Sequence, residues 1–142
     1  MLTLFTRFTL PRAALDSPPV RLFLQQHPHS LNEDAGVIRI AGEFGVGDRI
    51  EFEDLLINAR IPFDRFRAPY PDDVDETWDR MIFRPGLGYQ NICVTRSDHP
   101  LLDLRDWDTI ADTPGGPITL AQVRHFLSLD VPSVADAASL PF

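Results

Sequence analysis

Two short acidic segments hold the residues best placed to do chemistry. The first contains Asp72, Asp73, Asp75, Glu76, Trp78 and Asp79, and the second contains Asp106, Trp107 and Asp108. Carboxylates set around an indole have two uses. The indole can fold back over the edge of the core while the acids stay in water, or it can anchor a partner that the acids steer into place. Two such segments in one small acidic chain give the strongest functional expectation, a patch that binds a basic protein surface.

The other reactive side chains are less favourably arranged. Ser97, Asp98 and His99 are consecutive, whereas nucleophile, base and orienting acid are brought together by the fold and not by adjacency. Cys93 lies between Ile92 and Val94, where a small buried thiol is the expectation; a reactive Cys93 served by His99 or His125 is the enzymatic alternative. His27 and His29 flank Pro28 without the spacing of a zinc site, and a single cysteine cannot supply thiolate pairs. The first acidic segment, and separately Asp103, Asp106, Asp108 and Asp112, could offer oxygen ligands to a hard cation. Neither has the ligand pattern of an EF-hand loop. Glu51 and Glu53 are two apart, so on a helix they diverge. No metal and no cofactor is expected.

Gly42, Gly45 and Gly47 resemble the glycine-rich turn of a nucleotide site in context only, with a strand before, a helix after and Asp64 in the next strand. The glycine order is wrong and no lysine follows. Asp48, Glu51, Glu53 and Asp54 would also repel a phosphate at that helix start. A structural turn is expected.

These residues sit in a chain of 142, of which 44% is hydrophobic, enough for one domain spanning residues 1–142. Thirteen prolines favour short elements over a helical bundle. Twenty-one acidic against thirteen basic residues give a net charge of −8, and every basic residue is arginine. Such a surface repels phosphate, which argues against direct nucleic-acid or anionic-membrane binding. With one cysteine no internal disulfide forms. Residues 1–10 lack a continuous apolar run and no segment approaches the ~20 apolar residues of a membrane span, so a cytoplasmic protein is expected.

The elements follow from periodicity. Leu2, Leu4, Thr6, Phe8 and Leu10 alternate with Thr3, Arg7 and Thr9, and Phe5 adds a second apolar face, which places this strand inside a sheet. Val20, Phe23, Leu24 and His27 have helical spacing after Ser17 and Pro18. Residues 29–35 read as a polar loop. Residues 37–41 form a strand, Asp48 caps a helix with the stripe Phe52, Leu55, Leu56 and Ala59, and residues 61–66 resume an extended path. Residues 80–84 and 89–95 form a hairpin across residues 86–88. Residues 97–116 read as irregular. Thr119 and Gln122 form a capping box for a helix with the stripe Leu120, Val123 and Leu127, and residues 134–139 make a last helical turn.

The fold class is therefore α+β, a mostly antiparallel sheet of about five strands with two or three short helices. The function expected is a small, non-enzymatic interaction module of the inhibitor, immunity or charge-mimic type. A small enzyme using a carboxylate-bound metal or a Cys/His pair is one alternative. A structural subunit self-associating through the edge of its Phe-rich strands is the other.

Overall fold

In the computed structural model, which describes residues 2–71 and 77–138, β1 (Thr3–Pro11) runs through the interior of a sheet, as its two-faced pattern requires. Leu4, Thr6, Phe8 and Leu10 are buried on one face, and Phe5 packs on the other. β1 pairs antiparallel with β3 (Val37–Gly45) on one side and with β4 (Phe63–Arg67) on the other. β2 (Ser30–Asp34) flanks β3, while β5 (Trp78–Arg84) and β6 (Gly88–Val94) extend the sheet beyond β4. The order is β2-β3-β1-β4-β5-β6, six strands with every neighbouring pair antiparallel.

The sixth strand is β2, which replaces the expected polar loop. All five of its residues are exposed, so no apolar alternation marks it. A tight turn defines it instead: Ala35 and Gly36 both take positive φ (51° and 82°), the geometry of a two-residue hairpin.

The expected glycine reversal is not a loop either. β3 continues through Gly42 to Gly45, and α2 (Val46–Asn58) starts directly with Gly45 as its N-cap. Gly42 stands opposite Thr6, and a Cβ on it would lie 2.9 Å from the Pro28 carbonyl oxygen. A close backbone pass therefore requires the glycine there. Asp48 is not the cap; it lies in the first turn of α2 with its carboxylate 3.4 Å from His27 Nε2.

α1 (Pro18–Gln26) and α2 cover one face of the sheet. Val20, Phe23 and Leu24 of α1 join Phe52 and Leu56 of α2 over Phe8, Ile38, Ile40 and Phe63. The Phe23 and Phe52 rings stack at 4.4 Å, and Phe8 meets Phe52 edge-on at 4.8 Å. Each fully buried Phe contributes about 1.5–3 kcal/mol. The opposite face holds a smaller cluster of Phe66, Ile82, Ile92 and Val94, with Phe5, Trp78 and Val131 packed against it.

The chain after β6 supplies α3 (Leu104–Ile110), α4 (Leu120–Phe126) and α5 (Val134–Ala138). α3 lies within the stretch expected to be irregular; Asp103 and Asp106 form its capping box, two aspartates doing what Ser/Thr and Glu/Gln do elsewhere. α4 has the expected cap, but its stripe is not buried: Leu120 is exposed and only Leu127, just past the helix, is covered. Among the described residues no helix is long and apolar enough to cross a membrane.

Candidate functional site

The most heavily charged interior site lies between α2 and the sheet. On α2, Arg49, Phe52, Glu53 and Leu56 are the buried residues, a stripe at i, i+3, i+4 and i+7. Ala59 of the expected stripe is exposed, and the two charged residues take its place. Strand alternation in β4 turns Phe63, Arg65 and Arg67 toward the same side. One Glu53 oxygen then accepts from Arg49 Nη1 and from Arg65 Nη1, each at 2.8 Å. Arg65 Nη2 donates to the Asp79 carboxylate, with Arg67 Nε 3.8 Å from the same oxygen. Arg49 Nη2 reaches the Tyr70 hydroxyl at 3.4 Å, and the Arg67 guanidinium stands 4.8 Å over the Tyr70 ring. Arg65 is only 2% exposed. Burial pushes its guanidinium below the ordinary value while Glu53 and Asp79 pull the other way; an arginine nevertheless stays charged.

This cluster is an ionic clamp joining α2 to β4 and β5. Its carboxylates are occupied by guanidiniums, so it offers no free base. The sequence did carry a signal for it, complementary charges at i and i+4 inside an apolar stripe. Above it opens a cleft of about 360 Å³, with Ile50 and Asp54 of α2 on one side and Tyr89 and Asn91 of β6 on the other.

Of the first acidic segment, Asp72, Asp73, Asp75 and Glu76 lie outside the described residues. Asp79 belongs to the clamp. Trp78, at the start of β5, stacks on Phe66 at 4.8 Å with 12° between the rings, and meets Phe5 edge-on. The second segment is α3. Asp103 and Asp106 each accept the other's backbone N–H at 2.9 Å. The N–H of Asp106 holds the Asp103 carboxyl below its ordinary value. Trp107 Nε1 donates to the Gly116 carbonyl at 3.1 Å, and Asp108 accepts from the Gly115 N–H at 3.4 Å. These bonds fix the indole's polar edge while 40% of the residue stays exposed.

Among the described residues the groups considered for catalysis do not converge. Cys93 is exposed, not buried: alternation along β6 puts it on the same side as Tyr89 and Asn91, which are also exposed. Among the described residues no hydrogen bond or ion pair joins it to His99 or His125. Asp98 takes φ 65° in the turn after β6 and binds Arg80 at 2.8 Å and Arg7 at 3.3 Å, which explains its place beside Ser97 and His99 as structural. Asp64 is held by Arg84 at 2.9 Å. Among the described residues no three His, Cys, Asp or Glu side chains gather as a metal would need.

A second cleft, of about 390 Å³, lies beside the end of β6 and is lined by Leu87, Tyr89, Gln90, His125, Asp130 and Pro132 among others. His125 Nδ1 and Asp130 lie 2.9 Å apart, a bond that holds the Asp130 carboxyl below its ordinary value. Ser128 shares the cleft, but its hydroxyl donates to Gln90 and, among the described residues, no bond joins that hydroxyl to the His125 ring. Its positive φ (56°) closes α4: Leu129 N–H returns to the Arg124 carbonyl and Ser128 N–H to that of His125.

A scan against protein-family models finds no match to this chain, and searches of curated proteins and of solved structures find none.

Proposed function

We propose that this protein is a small, non-enzymatic interaction module that docks on a basic protein surface, in the manner of inhibitors, immunity proteins and charge mimics. One observation carries the reading. Helices α3 and α4 contain no buried residue: Leu104 and Trp107 of α3 are 86% and 40% exposed, and Leu120 of α4 is 74% exposed. Packing does not account for large apolar side chains held out on two capped helices, and such exposure is characteristic of binding surfaces. Asp103, Asp106, Asp108 and Asp112 flank Leu104 and Trp107 in the chain, and among the described residues only Asp103 pairs with an arginine, Arg105 at 3.6 Å. An aromatic anchor within unneutralised acid favours a cationic partner and speeds its association. Asp72, Asp73, Asp75 and Glu76, next to Trp78 and Asp79, would add to the steering field.

The test starts from a partner captured from the native host and purified. Trp107→Ala is expected to weaken its binding roughly 30-fold or more, as loss of a central anchor does. Asn and Gln at residues 72, 73, 75 and 76 are expected to slow association at low salt and flatten its salt dependence. Wild-type affinity in the first variant, together with salt-insensitive association of the native protein, would refute the reading.

A further inference from the structure

We propose that the cavity of about 390 Å³ between the β5–β6 turn and the chain after α4 binds a small monocarboxylic acid, its carboxylate on Arg84 and its aliphatic body along Ile82, Leu87, Val131 and Pro132. The site does not depend on the docking surface proposed for α3 and α4.

Arg84 ends β5, where strand alternation turns it to the same side as Ile82. The residue is 3% exposed. Its Nε donates to the Pro132 carbonyl at 2.7 Å, and its Nη1 donates to the Phe63 and Phe83 carbonyls at 3.1 and 2.9 Å. Asp64 stands 2.9 Å from the same Nη1 and does not line the cavity. Nη2 has no hydrogen-bond partner among the described residues. Nor is it one of the unpartnered side-chain atoms sealed from solvent, which are Arg49 Nε, Asp64 Oδ1, Arg65 Nε and Arg67 Nε. The cavity that Arg84 lines is therefore where this donor opens. Three carbonyls hold the guanidinium in place, so its free edge is presented in one fixed orientation, and a carboxylate oxygen is the strongest acceptor it can take.

The neighbouring polar groups are already engaged. Ser128 gives its hydroxyl proton to Gln90, and the Gln90 amide donates to the Phe126 carbonyl. Asp130, the one carboxylate of the lining, is held by His125 Nδ1 at 2.9 Å. The guanidinium and this carboxylate balance, so the ligand is selected by the unspent N–H at the buried end and not by an excess of charge. Asp130 disfavours a second negative group on the ligand. The remaining wall is apolar. Ile82 and Val131 belong to the smaller core cluster, and Leu87 is 64% exposed at the mouth, where an aliphatic chain would cover it. A cavity of this size, mostly apolar with one fixed polar group at its end, has the build of a small-molecule site.

The experiment titrates the full-length protein with sodium isovalerate and follows its backbone amides by NMR. Sodium acetate, isovaleramide and isobutylammonium chloride at matched ionic strength are the comparisons. Isovalerate is expected to move the Gly88, Gln90, Ser128 and Val131 amides together along one saturating curve. Acetate should bind roughly tenfold more weakly for want of aliphatic contacts, and isovaleramide roughly tenfold more weakly for want of a charged acceptor. Leu87→Asp should weaken isovalerate roughly tenfold by removing apolar wall and adding like charge. Arg84→Gln should abolish saturation; if that variant fails to fold, Leu87→Asp and the amide comparison decide. Isovaleramide binding as tightly as isovalerate, or isobutylammonium binding more tightly at the same amides, would overturn the carboxylate assignment. Acetate matching isovalerate would overturn the aliphatic part of the site. Shifts that never saturate, or that centre on Arg49 and Arg65, would overturn the site itself. The docking reading is tested separately, by Trp107→Ala against its partner.

Discussion

The two halves of the molecule hold their helices by opposite means. Neither α1 nor α2 has a side-chain hydrogen bond at its N-cap, yet between them they bury Val20, Phe23, Leu24, Phe52 and Leu56. Helices α3 and α4 have complete capping boxes and bury nothing. In the first pair tertiary packing supplies the stability, as it does for most short helices. In the second, local backbone satisfaction stands in for a core, which leaves apolar side chains free to meet something else. A helix that forms without burying its apolar residues is available for binding; one that needs them for packing is not.

The sharpest way to break this contrast is through the clamp. Glu53→Ala leaves Arg49 and Arg65 without their shared partner in a buried site, and a loss of about 3–5 kcal/mol is expected in chemical denaturation. A loss under about 1 kcal/mol would show that the ion pairs contribute little to holding α2 on the sheet. Thr119→Ala should cost about 1 kcal/mol, felt as faster hydrogen exchange within α4 and not as a comparable drop in the global midpoint. If the global midpoint fell as far as in Glu53→Ala, the two halves would not differ as described.

The smallest effect is set by acid. The folded state holds the Asp103 carboxyl below its ordinary value, chiefly through the Asp106 N–H, so its ionised form is favoured by folding. That contribution is complete above the ordinary carboxylate value and disappears as pH falls through the lowered one. Amide signals of α3 should therefore titrate with a midpoint below the ordinary carboxylate value, without a corresponding cap-linked change in α1 or α2. A midpoint above that value would remove the Asp103 cap from the account.

The sheet was legible where alternation was strong. The two-faced pattern of residues 2–10 placed β1 in the interior, and the proline and glycines at 85–88 placed the last hairpin. It was not legible in β2, whose residues are all exposed and whose only mark is its turn. The same limit hid α3, because an aspartate pair doing the work of a capping box looks like solvated charge. The acidic segments were visible as composition; that Asp79 turns inward to Arg65 while Trp107 stays half exposed was not.

By itself the sequence determined the fold class and the negative charge, because these depend on residue types and short-range spacing. Only the tertiary structure decided which charges are paired and which helices pack. Those outcomes depend on residues such as Arg49 and Asp79, thirty positions apart, meeting at one site. No local pattern encodes that meeting.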